Sequence, residues 1–275
     1  MKAKILYLRP SESDWYNQNS LSFPSQICAM SRVPSARSEV KVLSQIPFRI
    51  NRESLCQTLR LKPGSHYLAE LDHLINQAEQ VAKPKGMVRR VLIAEKGENW
   101  VRLDGRRLVS RILRVNLEEA THAFVFVATA GLELATWSKT LPDLLYRFWA
   151  DVIQEVALET ARQAMHQYLT QRFHCGPLSE MHPGSLDDWP LSAQEDLFSL
   201  LGDVKGKIGV SLTESKLMYP VKSVSGVAFP TQTQFISCQL CPREKCRARQ
   251  APFDAKLFQE RYGIPIQSSF GLTKP

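Results

Sequence analysis

The residues with the most specific chemistry are three thiols near the C-terminal end, arranged as Cys238-x-x-Cys241-x-x-x-x-Cys246. Thiolates this closely spaced on a loop can converge on one soft metal ion or on an iron–sulfur cluster, and Pro242 would stiffen the loop that carries them. Arg243, Lys245, Arg247 and Arg249 would offset the thiolate charge. Three ligands are one short of a closed site, so Cys175 or a group from outside the chain is needed as the fourth. The spacing leaves an iron–sulfur cluster, a zinc ion, and redox-active or inert thiols as alternatives.

A second group of residues could hold a small molecule. Pro183-Gly184 and Ser225-Gly226 are points where backbone can approach a ligand closely, because glycine has no Cβ; both pairs can equally be an ordinary turn and a strand bulge. Thr213, Glu214 and Ser215 place hydroxyls and a carboxylate after an apolar segment, where they can face a ligand or cap a helix. His174, Cys175 and His182 flank one turn, although histidines in such places are most often surface or capping residues.

These residues must be positioned by a mixture of helices and strands. Ile5 to Leu8 reads as a short strand, and the Ser/Pro-rich stretch from Ser11 to Ser38 as an irregular arm. Val42 to Ile50 has strand character, and Asn51 can cap a helix over Arg52 to Leu59. A second helix is predicted from about Tyr67 to Val81, with Leu68, Leu71, Leu74 and Ile75 on one stripe, ending at Lys83-Pro84. Strands are expected over Gly86 to Glu95, Trp100 to Leu103 and Ala123 to Ala128, the last buried on both faces and broken by Gly131. The longest helix spans Asp143 to about Phe173 and includes Glu159. A shorter helix opens after Pro190 and runs to Leu201, and Lys207 to Thr213, Ser223 to Phe229 and Thr233 to Cys238 read as strands.

Without regular βαβ alternation or an internal repeat, this pattern defines an α+β fold. Its simplest division is an N-terminal strand and arm over 1–41, followed by one domain over 42–275 that ends in the cysteine cluster. The chain has 275 residues, 44% of them hydrophobic, which is ample for a buried core. No run of eighteen apolar residues marks a membrane span, and Met1 to Arg9 lack a signal-peptide pattern, so a cytoplasmic protein is expected. The formal charge of +8 is spread over small basic groups without a nucleic-acid-binding motif, which argues against nucleic acid and for a basic surface or an acidic partner.

His182-Pro183-Gly184-Ser185, Asp188-Trp189-Pro190-Leu191, and the block from Ile208 through Leu212-Thr213-Glu214-Ser215 and Met218-Tyr219-Pro220 to Ser223-Val224-Ser225-Gly226 resemble the activation domain of cobalamin-dependent methionine synthase. Upstream, Ala128 to Glu133 and the long helix with Asp151 and Glu159 are placed as in stand-alone members of that family, so the resemblance covers about 50 to 250.

The resemblance implies a twisted antiparallel sheet flanked by helices and a shallow site for S-adenosylmethionine near Glu159, Pro183, Gly184, Ser225 and Gly226, with Glu159 facing the ligand's amino group. It implies docking on a cobalamin-binding domain or corrinoid methyltransferase, whose cobalamin is re-reduced and remethylated with electrons from a donor protein. Cys238, Cys241 and Cys246 would then hold a metal centre, and an iron–sulfur cluster suits such low-potential electron transfer. A module that only docks on a corrinoid protein, or an iron–sulfur electron carrier, are the alternatives. Two positions depart from the family pattern: Glu180 stands where an arginine is common, and Ser185 where a tyrosine follows Pro-Gly. Val227-Ala228 also replaces an aromatic found after Ser-Gly in the synthase. A carboxylate at 180 repels a ligand carboxylate, so that contact does not carry over.

Overall fold

The computed structural model describes residues 39–231, 235–241, 249 and 251–263. The arm up to residue 38 and Cys246 lie outside them. Helices and strands follow in the order β1 (Lys41–Leu43), α1 (Arg52–Leu59), α2 (Leu68–Val81), β2 (Lys85–Lys96), β3 (Trp100–Leu103), β4 (Arg106–Val109), α3 (Arg111–Asn116), β5 (His122–Thr129), α4 (Leu132–Thr140), α5 (Leu144–Phe173) and β6 (Leu178–Met181). After a 3-10 turn at Leu191–Ala193 come α6 (Gln194–Leu201), α7 (Val204–Ile208), β7 (Ser211–Leu212), β8 (Met218–Tyr219) and β9 (Ser223–Pro230). A 3-10 turn at Ser237–Leu240 and α8 (Ala255–Tyr262) complete the described chain.

An open antiparallel sheet organises the molecule, in the order β4-β3-β2-β5-β9-β6, with β1 pairing β2 as well. Strand β2 is long enough to serve β1 at its start, where Lys41 lies opposite Val88, and β3 at its end, where Lys96 lies opposite Val101. Its other edge pairs with β5 from Lys85↔Thr129 to Leu92↔His122. Strand β9 is central, paired with β5 from Phe124↔Ala228 to Thr129↔Ser223 and with β6 from Leu178↔Pro230 to Met181↔Val227.

The period-2 alternation of side chains then gives the sheet two buried faces. On one, Met87, Val91, Val125, Val127 and Val227 pack with Trp189 and with Leu197, Leu201, Val204 and Ile208 of α6 and α7. On the other, Val88, Phe124, Phe126 and Ala228 pack on Met165 and Leu169 of α5. The first half of α5 belongs to a third cluster, where Trp149 and Ile153 meet Leu71 and Leu74 of α2, Leu134 of α4 and Leu55 of α1. α5 therefore joins the helical cluster to the sheet.

Local chemistry fixes the helix ends. Asn51 Oδ1 accepts from Ser54 N at 2.9 Å, and Asp143 Oδ1 accepts from Leu145 N at 2.6 Å, as the capping preference of these residues predicts. Ser110 Oγ accepts from Leu113 N at 2.9 Å at the start of α3. The carboxylate of Asp188, far away in sequence, accepts from Ile112 N at 3.0 Å and from the Ser110 hydroxyl, so the Asp188-Trp189 turn is tied to the end of α3 that needs acceptors.

The α+β reading with an antiparallel sheet stands, and three local readings change. Strand β1 stops at Leu43, seven residues short of the expected Ile50. Lys207 to Thr213 is not one strand: Asp203 caps α7 through Gly206 N, the helix ends at Gly209 with φ +77, and only Ser211–Leu212 pairs, with β8. Around Cys238 the backbone forms a 3-10 turn rather than a strand.

Candidate functional site

β6, β9 and the middle of α5 bring the sequence-predicted ligand residues to one locus. His182 to Ser185 is a turn in which Ser185 N donates to His182 O at 3.2 Å and Gly184 has φ +81, the geometry that Pro followed by Gly favours in a type II turn. Gly184 N donates to Trp189 O at 2.8 Å, and a Cβ on Gly184 would meet Leu191 Cδ1 at 2.9 Å. Gly226 lies beside this turn: its Cβ would stand 2.4 Å from Met181 O and 2.8 Å from His182 Nδ1. Both glycines thus permit close approach within the protein itself, whatever else they meet.

Polar contacts link these residues across the elements. Glu159 Oε2 accepts from Arg162 Nη1 at 2.8 Å one turn along α5, and Arg162 Nη2 donates to Glu180 Oε2 on β6 at 2.8 Å. Glu180 Oε1 also meets His166 Nε2 at 2.5 Å. His182 Nδ1 donates to the Ser225 carbonyl at 3.0 Å, which turns its Nε2 toward Glu180 at 3.4 Å. The Glu180 side chain is 6% exposed and sits at the centre of the network, whereas that of Glu159 is 42% exposed and forms its solvent edge. The departure at position 180 is therefore part of a designed charge cluster: Arg162, His166 and His182 supply what a buried carboxylate needs.

Burial pushes Glu180 toward its neutral form, but hydrogen bonds from His166 and His182 and the charge of Arg162 outweigh it and hold the carboxyl well below the usual carboxylate range. A carboxylate with a depressed folded-state pKa adds stability that is fully present above its unfolded value, about 4.3, and is lost as pH falls through the folded value. Urea denaturation across the acid range is therefore expected to show a steep loss of stability below about pH 4.5 that Glu180→Gln makes shallower.

Ser225 contributes differently from the sequence expectation. Its hydroxyl lies on the opposite sheet face from Gly226, buried, and donates to Gln194 Oε1 at 3.0 Å, while Gln194 Nε2 donates to Lys216 O at 2.9 Å. What Ser225 offers the locus is its carbonyl. Thr213 and Ser215 bond one another at 3.0 Å in the β7–β8 turn, and Thr213 Oγ1 accepts from Leu217 N at 3.1 Å. His174 ends α5 with φ 50, and His174, Cys175 and His182 are not brought together as a group of metal ligands.

Cys238 and Cys241 lie three residues apart on the 3-10 turn, where the Cys241 N–H donates to Cys238 O at 3.2 Å. Arg249 holds this turn, with Nη1 donating to Cys238 O at 3.1 Å and Nη2 to Cys241 O at 3.0 Å. Cys241 packs on the face that carries α6 and α7, and Cys175 is buried on the α5 face, which removes Cys175 as the fourth ligand. Among the described residues no three His, Cys, Asp or Glu side chains converge as metal ligands. Two surface hollows, of about 480 Å³ beside His73 and Tyr146 and about 540 Å³ beside Val42 and Lys207, lie away from all these residues. No helix among the described residues is long and apolar enough to cross a membrane.

Arg162 and His166 were not singled out by sequence, although both share a face of the long helix with Glu159 at spacings of three and seven. That spacing was the available signal.

The sheet order, the α5 cover and the Pro-Gly turn beside β9 define an α+β protein built on an open antiparallel sheet. The family described as vitamin B12 dependent methionine synthase, activation domain, matches residues 183–248, which include the Pro183-Gly184 turn, β9 and the cysteine cluster. A solved structure titled "Crystal Structure of the MetH Reactivation Domain bound to AdoHcy" is similar in fold, with a TM-score of 0.53 and 16% identity over 78% of this chain and 86% of that chain. No curated protein matches the chain.

Proposed function

We propose that this chain is an accessory factor for the reductive reactivation of a cobalamin-dependent methyltransferase and binds S-adenosylmethionine as methyl donor beside Glu159, Pro183, Gly184, Ser225 and Gly226. The observation that carries the reading is the overlap of the matched family segment with the turn and strand that build this locus. AdoHcy, bound in the similar structure, is what S-adenosylmethionine becomes on losing its methyl group.

The chain's own part is positional, as is usual where cofactors carry the difficult chemistry. The chemistry itself would come from the partner's corrinoid, which, reduced by an electron donor, would act as methyl acceptor. Glu159, at the solvent edge of the charge cluster, suits the amino group of the donor. The rigid Pro183-Gly184 turn and the Ser225 carbonyl offer backbone at the same place. Exposed Leu144 and Phe148 lie on α5 just before Asp151, which meets Lys222 at 2.9 Å, and exposed Val221 precedes that lysine; together they offer an apolar face to a partner domain. Cys238 and Cys241, with Cys246, would hold an iron–sulfur cluster or zinc, the former serving an electron donor. The pairing of Arg162 with both Glu159 and Glu180 favours a second reading, a module that docks on a corrinoid protein without holding the methyl donor.

Two measurements separate these readings. S-adenosylmethionine is expected to raise the melting temperature of the anaerobically purified chain, and a separately expressed cobalamin-binding domain to co-elute with it. Co-elution without ligand protection would select the docking module, and loss of both would remove the proposal.

A further inference from the structure

The face of α5 that borders the ligand locus carries carboxylates at every fourth residue, Asp151, Glu155 and Glu159, with side chains 55%, 45% and 42% exposed. Helical spacing puts them on one line. Two cations answer them, and each is used twice. Lys222 Nζ lies 2.9 Å from both Asp151 and Glu155. Arg162 gives one amino group to Glu159 and the other to Glu180, each at 2.8 Å. Its third nitrogen, Nε, is buried.

Four carboxylates, Asp151, Glu155, Glu159 and Glu180, therefore stand against two permanent cations, Lys222 and Arg162. A cation entering beside Glu159 is attracted. A carboxylate entering there meets a guanidinium already ion-paired to two carboxylates, and must come up against Glu159 and Glu180 or separate one of those pairs, the second with Glu180 buried beneath it.

We infer that the locus recognises the sulfonium and amino ends of an adenosyl compound and is closed to its carboxylate, with Glu180 as the specificity-determining residue. The inference rests on the ligand reading proposed above and adds how that ligand is held. Arg162 is a positioning residue for Glu159, and the carboxylate of S-adenosylmethionine is turned to solvent.

Calorimetric titration of the whole chain with S-adenosylmethionine, and with its decarboxylated form, which keeps the sulfonium and the amine, tests this. The decarboxylated compound is expected to bind at least as tightly, and 5′-methylthioadenosine, which lacks both cationic groups, more weakly than either. Tighter binding of S-adenosylmethionine than of the decarboxylated form overturns the inference and leaves the ligand reading intact. If no adenosyl compound binds, the ligand reading falls and the inference with it. Glu180→Gln frees one arm of Arg162 and is expected to shift the preference toward S-adenosylmethionine by about tenfold, the scale of one charge-assisted hydrogen bond. An unchanged preference in a folded variant removes Glu180 from the role, and if the variant does not fold, the ratio measured on the native chain decides alone.

Discussion

Arg162→Met is expected to lower the unfolding free energy by about 3–5 kcal/mol at neutral pH, because removing one partner of a buried pair leaves the other as an uncompensated charge. Glu180 is the charge left behind, and its partners His166 and His182 remain as donors, which places the loss toward the lower end of that range. Urea denaturation of the native and variant chains measures it; a change within about 0.5 kcal/mol, the usual scale for surface substitutions, would show that the network contributes nothing. Glu180→Arg should fare worse than Arg162→Met. It would introduce a cationic carboxylate anchor at a position where Arg162 already lies 2.8 Å from the side chain it replaces, setting two guanidiniums together under α5.

Gly226→Ala is the second large effect. The added methyl would sit 2.4 Å from Met181 O, 2.8 Å from His182 Nδ1 and 3.1 Å from Phe126 Cε1. The first of these is backbone and cannot turn aside, so β6 must move off β9 at the point where it delivers His182. A loss of about 3 kcal/mol, at the upper end for overpacking, is expected by denaturation, together with weakened ligand protection. Gly176→Ala is the matched control, since nothing lies within 4 Å of its Cβ position, and it should leave stability within about 0.5 kcal/mol of native. Equal behaviour of the two variants would mean that the β6–β9 contact at Gly226 is not needed.

Much of the frame was legible because its signals are local. Asn51 caps the helix it was expected to cap, the long helix begins at Asp143 as its period indicated, and the apolar run Ala123 to Ala128 became the buried β5 with little change in its ends. Readings failed where a tertiary partner decides. Strand β6 is four residues long, and its Glu180 makes sense only against Arg162 and His166 from another element. α3 has its own N-cap in Ser110, yet its start is completed by Asp188, which no window of neighbouring sequence contains. α4 went unread because Gly131, correctly taken as the end of β5, with φ +99, is also where the next helix begins. The candidate residues were legible as positions; the sheet face to which each side chain turns was not. Ser225 shows the difference, since one residue of register separates its hydroxyl from the locus that its carbonyl reaches.

Strand β9 is held along both edges, by β5 over six residue pairs from Phe124↔Ala228 to Thr129↔Ser223 and by β6 over four. In the language of amide exchange, Ser225 and Gly226, paired with Val127 and Phe126 of β5 just before the stretch that β6 also holds, are expected to open late, with the global unfolding of the sheet. A small molecule bound beside them, as proposed, would meet backbone whose order was set when the chain folded. The conformational entropy that a loop-built site loses at each binding event is, along this strand, already absent from the unliganded protein.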